Sequence, residues 1–105
     1  MKLLSIDHIP GKEIEALDIV KGTVVHTKNV GRDFMAAMKT LVGGELVGYT
    51  QMLNEARQIA VKRMVDEAVA LEADAIVNVR YGTSSVMSGA AEVIAYGTAV
   101  KIVNN

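Results

Sequence analysis

The stretch that decides the fold is Ala91-Glu-Val-Ile-Ala-Tyr-Gly-Thr-Ala-Val-Lys-Ile-Val103. Side chains alternate between the two sides of a β-strand, so each side is read from every second residue. One side carries Glu92, Ile94, Tyr96, Thr98, Val100 and Ile102, and the other carries Ala91, Val93, Ala95, Gly97, Ala99 and Val103. Both sides are therefore largely apolar, although an antiparallel sheet under one layer of helices normally has a polar second side.

The second apolar side of this strand needs a cover that removes it from water. The chain is short, and only two helices are predicted below, one of them small. We expect another copy of the chain to supply the cover, which predicts a homo-oligomer built through sheet faces or edges.

The strand that precedes this stretch is predicted at Ala75–Tyr81, where apolar and polar residues alternate. The alternation places Val77, Val79 and Tyr81 on one side. Thr83–Gly89 is rich in turn-forming residues, so the two strands are expected to form an antiparallel hairpin.

Two more strands are predicted in the first 28 residues. Leu3–Ile6 is a short apolar run ended by a Pro–Gly turn. Glu13–Lys28 is rich in β-branched residues, which favours a strand, with Gly22 as a bulge or bend.

Two helices are predicted between the strand pairs. Thr50–Glu72 contains no Gly or Pro and is rich in strong helix formers. A shorter helix is expected to begin near Asn29 and to end at Gly43–Gly44, with Phe34 and Met38 on its apolar face. The resulting order is ββααββ, an α+β fold in which the helices lie on an antiparallel sheet as a two-layer sandwich.

Length and composition limit the classes of protein. A chain of 105 residues with one Pro and no linker suits a single domain over residues 1–105. A net charge of −1 lacks the basic excess that nucleic-acid binding requires, and the absence of Cys excludes thiolate metal sites and disulfides within the chain. No secretory signal or membrane-spanning run is evident, so we expect no membrane partner and a cytoplasmic location.

The order and spacing of several short motifs resemble one bacterial and archaeal family. The motifs are Gly11-Lys-Glu-Ile14, Asn29, Arg32-Asp-Phe34, Gly43-Gly44, Tyr49, Leu53, Ala56-Arg57, Ala73-Asp-Ala75 and Gly97-Thr-Ala-Val100. The chain resembles the YbjQ-like (UPF0145) family, which carries a heavy-metal-binding label. The resemblance implies a subunit similar in its core to dodecin, a ring of five subunits and no established enzymatic activity.

Two stretches of the sequence differ from the pattern of better-known members of this family. They read Gly-Gly-Arg-Ser where this chain has Gly43-Gly-Glu-Leu46, so a cationic loop becomes anionic. They read Leu-Gly-Ala-Asp where this chain has Leu71-Glu-Ala-Asp74. The second change removes a Gly near the predicted helix end, where left-handed geometry favours that residue.

A heavy-metal site has few candidate ligands in this chain. Soft metals prefer thiolate, thioether and imidazole ligands, and the only imidazoles are His8 and His26. No spacing places two of them on one helical face. Symmetry-related copies of His26 around a ring axis are the remaining metal candidate, and a metal cofactor is otherwise implied by the resemblance alone.

Charged pairs on apolar surfaces give the ligand-binding candidates. Arg80 and Glu92 lie on the two hairpin strands, where they are expected either to form a cross-strand ion pair or to line a ligand pocket or central channel. Together with His26 they are the predicted binding residues. Arg63 and Glu67 have the i, i+4 spacing of an ion pair within the long helix.

Several aromatic and hydroxyl side chains also allow both a structural and a functional interpretation. Tyr81 and Tyr96 are expected to pack in the core, with stacking on a flat ligand such as a flavin as the alternative. Ser84, Ser85 and Ser88 lie in a turn-rich segment without a nucleophile motif, which favours a role in the turn.

Three functions remain open from the sequence. We favour a non-enzymatic module that binds a small ligand or a metal ion at the interfaces of a homo-oligomer. The alternatives are a structural ring that docks a partner protein without a ligand, and a small enzyme whose site is shared between subunits. The shortage of His and the absence of Cys weigh against the enzyme.

Overall fold

The computed structural model describes residues 1–26, 47–87 and 90–104, and the side chains of residues 1–25, 53–85 and 91–103. This part of the chain forms the strands β1 (Lys2–Leu3), β2 (Glu13–His26), β3 (Ala75–Met87) and β4 (Ala90–Asn104), and the helix α1 (Val47–Ala70). The strands make one sheet in the order β1-β3-β4-β2. The predicted small α+β fold is confirmed.

The sheet is mixed, which corrects the predicted antiparallel sheet. Strand β4 is antiparallel to both β2 and β3, so the expected hairpin is present. Strand β1, however, pairs parallel to β3, with Lys2 opposite Ala75 and Leu3 opposite Ile76. The parallel pairing arises because β2 and α1 intervene between these strands, and such a long crossover lets the chain re-enter the sheet at the same end.

The order of the described elements is ββαββ, with one helix, rather than the predicted ββααββ. The segment from Asn29 to Gly43–Gly44, predicted to form the first helix, lies outside the described residues. Strand β3 continues to Met87, so the predicted turn over residues 83–89 is wrong for its first five residues.

The core lies between α1 and one side of the sheet, here called the helix side. Helix α1 contributes Ala56, Ala60, Met64 and Ala68, each with none of its side chain exposed. Their i, i+4 spacing places them in one row along the helix, as the apolar half of the predicted helix requires. Ala60, Met64 and Ala68 form one buried cluster with residues of the sheet, which are Val20, Val24, Ile76, Ala95 and Ala99.

Gly22 lies directly under α1 and is not the bulge that the sequence suggested. A Cβ atom at this position would be 1.9 Å from the carbonyl oxygen of Ala60 and 2.5 Å from the backbone nitrogen of Met64. The two irregularities in the register of β2 with β4 lie elsewhere, between Glu13 and Ile14 and between Ala16 and Asp18. Gly22 is required because helix and strand backbones approach too closely for any side chain.

Helix α1 ends in a Schellman motif with Glu72 in the left-handed conformation, at a φ of 59°. The N–H of Glu72 donates to the carbonyl oxygen of Val69 at 2.9 Å, and the N–H of Ala73 donates to that of Ala68 at 3.0 Å. Lys101 Nζ donates to the carbonyl oxygen of Glu72 at 2.9 Å. Glu72 stands where better-known family members have Gly, and it adopts the left-handed geometry that favours Gly.

The second side of the sheet is partly covered by the chain's own N-terminal segment. Ile9 is 5% exposed and packs with Ala75, Val77 and Val100 in a second buried cluster. Another copy of the chain is therefore not needed over this part, which corrects the expectation drawn from the last strand alone.

The remainder of that side is here called the open face, and it consists of Ile19, Lys21, Thr23 and Val25 on β2 with Ile94 and Tyr96 on β4. Across the two strands, Lys21 lies opposite Tyr96 and Thr23 lies opposite Ile94. Ile19 is 72% exposed, Val25 51% and Tyr96 40%. The open face is thus a largely apolar surface that the described residues leave in contact with water.

Candidate functional site

Arg80 and Glu92 do not form the predicted pair. Arg80 lies opposite Tyr96 on the neighbouring strand, whereas Glu92 lies opposite Ser84. The two charges are thus offset by four residues, or roughly 13 Å along the strands. The ion pairs among the described residues include neither side chain. The predicted ion pair is therefore absent among the described residues, and the alternative of a ligand pocket or central channel stays a prediction.

A β-bulge in β3 explains why the alternation was misread. The register between β3 and β4 shifts between Val77 and Arg80, and Asn78 has a φ of 54°. Val77 belongs to the cluster under Ile9, while Val79 packs against the helix-side core. An extra residue in one strand moves every later side chain to the other side of the sheet, so the three residues predicted to share a side do not.

Arg80 ties the N-terminal segment to the sheet. Its Nη1 atom donates to the carbonyl oxygen of Ser5 at 2.8 Å and to that of Val79 at 3.0 Å. The backbone next to it is joined to the same segment, because the N–H of Asn78 donates to the carbonyl oxygen of Ile6 at 2.9 Å. Within the subunit Arg80 thus joins the N-terminal segment to the sheet, and its role as a ligand-binding residue stays a prediction.

The two histidines are far apart in the fold. His26 is the last residue of β2, and its side chain lies outside the described residues. His8 is exposed in the N-terminal segment, where its Nδ1 atom is 2.9 Å from Asp7 Oδ1. Hydrogen bonding to His8 and the charge of its ring lower the pKa of Asp7 below its usual value. Because the His26 side chain lies outside the described residues, its role as a metal ligand stays a prediction.

A metal site of the usual kind needs several acidic or imidazole side chains close together. Within residues 1–26, 47–87 and 90–104, no three such side chains form a group that could hold a metal ion. The heavy-metal site that the resemblance implies is not formed by the part of a single chain that is described.

Tyr81 and Tyr96 lie on opposite sides of the sheet. Tyr81 is opposite Ala95, a core residue of the helix side, whereas Tyr96 lies on the open face opposite Lys21. The two rings cannot stack on the same ligand within one subunit. Both are also exposed, Tyr81 by 54% and Tyr96 by 40%, so the expectation that they pack in the core is wrong.

A groove between α1 and β3 is a site that the sequence analysis did not find. It has a volume of about 500 Å³ and is lined by Asn54, Arg57, Gln58, Val61, Lys62 and Tyr81. Five of these residues follow one another at i, i+3, i+4, i+7 and i+8 along the helix, which places them on one helical face. The helical spacing can be read from the sequence. The sequence does not show that Tyr81 of β3 forms the other wall of the groove.

The cationic groups of the groove differ in how far they are already paired. Arg57 is half-buried, and its Nη1 atom donates to Asn54 Oδ1 at 3.0 Å. Lys62 Nζ lies 3.1 Å from Asp66 Oδ2, and this exposed pair leaves 76% of the Lys62 side chain in water. Of the two cations, Arg57 is therefore the one placed to hold an anion inside the groove.

Arg63 and Glu67 also serve a purpose that their spacing did not indicate. Arg63 Nη1 donates to the carbonyl oxygen of Thr23, and Glu67 Oε1 accepts from the N–H of Lys21 at 3.1 Å. Both partners are backbone groups of β2, which lies at one edge of the sheet. The expected ion pair within the helix is replaced by two bonds from the helix to this edge.

Helix α1 does not span a membrane. Within the described ranges of the chain, no helix combines the length with the apolar character that a bilayer crossing requires.

Comparison with known proteins identifies relatives along nearly the whole chain. A family described as "Putative heavy-metal-binding" (YbjQ) matches residues 1–103. A UPF0145 protein of Clostridium novyi is 61% identical over 97% of this chain and 99% of its own length, and one of Alkaliphilus metalliredigens is 56% identical over 98% and 100%.

One solved structure supports the fold. It is a crystal structure of a protein of unknown function from Pediococcus pentosaceus, assigned to the DUF74 family. It matches with a TM-score of 0.67 over 97% of both chains at 19% sequence identity. At this identity the likeness concerns the fold alone.

Proposed function

This chain belongs to the YbjQ-like (UPF0145) family, and from that premise we propose that it is a non-enzymatic subunit of a homo-oligomer that binds a small ligand. The observation that carries the proposal is the open face, an apolar surface on a chain of only 105 residues. The cytoplasm is its proposed location. A ring of five subunits is the assembly that the family resemblance favours.

The open face has the composition of a subunit interface. Ile19, Val25 and Tyr96 are exposed by 72%, 51% and 40%, and the half-buried Ile94 lies between them. Exposed apolar surface of this kind, when contiguous, marks a site of protein contact because covering it releases ordered water. A second copy of the chain presents the same face, in which the long side chain of Lys21, opposite Tyr96, can lie along the apolar surface with its charged end in water.

The shape of the subunit also favours assembly. Its Cα radius of gyration is 17.0 Å, with extents of 54 × 27 × 17 Å. A compact domain of this length has a radius of gyration of about 13 Å. The long β2, β3 and β4 strands thus extend beyond the part covered by α1, and neighbouring subunits would bury them.

A small organic ligand suits the described residues better than a heavy metal. The groove beside α1 carries two cationic side chains, which oppose a metal cation. Soft metals also prefer sulfur or imidazole ligands, and the lining of the groove contains neither. The proposal therefore departs from the description attached to the family.

Native mass spectrometry of the untagged protein tests the proposal, since one spectrum reports the number of subunits and any retained mass. We expect a discrete oligomer with a retained or exchangeable small molecule. Ile19→Lys is expected to dissociate it, because a second cation beside Lys21 on the open face cannot be buried without a partner. Val69→Lys is the matched control, since Val69 is 58% exposed on the outer side of α1.

A wild-type monomer at micromolar concentration would overturn the assembly. Equal dissociation by both variants would show that the open face is not the interface. A stable oligomer that neither retains nor takes up a small molecule would favour a ring that docks a partner protein, and a retained mass equal to that of a metal ion would favour the family description.

A further inference from the structure

We propose that the groove between α1 and β3 binds a small organic anion that carries a planar ring, one molecule per subunit. This inference deepens the proposed function, on which it rests only for the premise that the chain binds a small ligand. It assigns both the ligand class and the place, which lies within one subunit and on the opposite side of the sheet from the open face.

Arg57 supplies the charge that selects an anion. Its single bond to Asn54, at 3.0 Å, holds the guanidinium in place. A guanidinium has five N–H donors in a fixed plane, so this bond orients the group without using up its capacity. The remaining donors suit a carboxylate or a phosphate, which a planar guanidinium can bind through two parallel hydrogen bonds.

Lys62 adds positive charge without being the anchor. Its Nζ atom is already 3.1 Å from Asp66, and both side chains are largely in water. An exposed pair of this kind contributes little and is screened by salt. Lys62 therefore raises the local potential of the groove, whereas the half-buried Arg57 fixes the position of the anion.

Tyr81 supplies the surface that selects a planar ring. It comes from β3 on the helix side and is 54% exposed, although Ala95, which lies opposite it on β4, is buried. The Tyr81 ring and the Arg57 guanidinium line the same groove, which favours a flat aromatic anion as ligand. The face of such a ligand would contact the tyrosine ring, and its negative charge would contact the guanidinium. Val61 adds an apolar contact, and its side chain is half-buried.

The size of the groove agrees with a small ligand. Its volume of about 500 Å³ lies within the range of about 300 to 1,000 Å³ that is usual for small-molecule sites. Asn54 and Gln58 add neutral amide groups to its wall, which can donate to or accept from the substituents of a ring.

The experiment measures binding of 2-naphthoate by NMR titration of the full-length wild-type protein. Two matched probes separate the contributions: 2-naphthamide keeps the ring without the charge, and cyclohexanecarboxylate keeps the charge without the planar ring. We expect 2-naphthoate to bind with a Kd at least about tenfold lower than either probe, since a charged hydrogen bond and an aromatic contact each account for a factor of this order.

Four variants test the two anchors. Arg57→Gln and Tyr81→Leu are each expected to raise the Kd for 2-naphthoate about tenfold, whereas Arg57→Lys and Tyr81→Phe keep the charge and the ring and are expected to retain much of the binding. Lys2→Gln removes an exposed charge on β1, outside the groove, and serves as the control. The NMR spectrum of each variant reports whether it is folded.

Several results would overturn the inference: no binding of 2-naphthoate to the wild type at millimolar concentration, equal binding of 2-naphthamide, or no effect of Arg57→Gln and Tyr81→Leu in folded protein. Native mass spectra of the same samples separate this failure from that of the proposed assembly. A monomer that binds 2-naphthoate in the groove would support the binding site and overturn the proposed oligomer. An oligomer that does not bind 2-naphthoate would support the assembly and overturn the binding site.

Discussion

Glu67, on the helix, accepts a hydrogen bond at Oε1 from the backbone N–H of Lys21, on the edge strand, over 3.1 Å. The outer edge of β2 would otherwise present unpaired donors and acceptors, which are a template for pairing with another chain. Arg63 binds the carbonyl oxygen of Thr23 and Asp18 Oδ1 accepts from the N–H of Ile19, so three outward groups of this edge are occupied by side chains. These bonds favour assembly through the open face over assembly through this edge.

The first prediction concerns this bond. Glu67→Ala is expected to speed amide exchange of Lys21 about fivefold, since a net hydrogen bond is worth about 1 kcal/mol. Glu67→Gln keeps an acceptor at the same length and is expected to preserve most of the protection. Hydrogen exchange followed by NMR measures both, with Glu55→Ala as a control on the exposed side of the same helix. Unchanged exchange in Glu67→Ala would contradict the finding.

Gly22 is predicted to be intolerant of any side chain. Gly22→Ala would place a Cβ 1.9 Å from the carbonyl oxygen of Ala60, so α1 must move away from the sheet. We expect a loss of about 1–3 kcal/mol in the free energy of unfolding, measured with urea. Gly82→Ala is the matched control, because its nearest contact is the side chain of Ile94 at 3.1 Å. Equal losses in the two variants would refute the close approach of helix and strand.

Glu72 is predicted to be a site where a substitution stabilises the protein. Glu72→Gly relieves an L-residue at a φ of 59° and removes a negative charge next to a helix C-terminus. We expect the free energy of unfolding to rise by about 1 kcal/mol. The same change at Glu55, inside α1, should lower it by about 1 kcal/mol because Gly disfavours a helix interior. Opposite signs in urea denaturation are the test, and a loss in both would disprove it.

Arg80 is predicted to hold the N-terminal segment and not a ligand. Arg80→Ala removes the bond to the carbonyl oxygen of Ser5, so the amides of Asn78 and Val79, which bond to the same segment, should exchange faster. Arg80→Lys retains a donor and is expected to have a smaller effect. Amides of the β2–β4 pair serve as the internal reference. Unchanged exchange at Asn78 together with lost ligand binding would restore Arg80 as a binding residue.

The pH prediction concerns Asp7, whose pKa is lowered by the adjacent His8. A carboxyl with a lower pKa in the folded than in the unfolded state favours folding above the unfolded pKa, and this contribution is lost as the pH falls through the folded pKa. We expect His8→Ala to raise the pKa of Asp7 toward its usual value, as measured by NMR titration of the carboxyl. Titration at the same low pH in both proteins would exclude the interaction with His8.

Much of the fold is present in the local pattern of residues. Helix α1 follows from an uninterrupted run of strong helix formers, and β4 from alternating β-branched and small residues, because propensity and periodicity act within a few neighbours. The residue at the end of α1 was also identified, since left-handed geometry after a helix has a known preference for Gly. Membership of the family followed from motifs that the comparisons confirm along residues 1–103.

The candidate site depended on contacts between distant parts of the chain. The bulge at Asn78 reversed which residues of β3 face α1 and so brought Tyr81 to the groove, while the register of the β3–β4 hairpin placed Arg80 and Glu92 four residues apart along the strands. A one-residue change of register has no signature in alternation alone, because it is decided by the packing of the whole sheet. The sequence by itself determined helix α1, strand β4 and the family, because these rest on local patterns. Only the tertiary structure decided that Gly22 admits the helix, that Glu67 binds the edge strand, and that Arg57 and Tyr81 share a groove, because each of these joins distant parts of the chain.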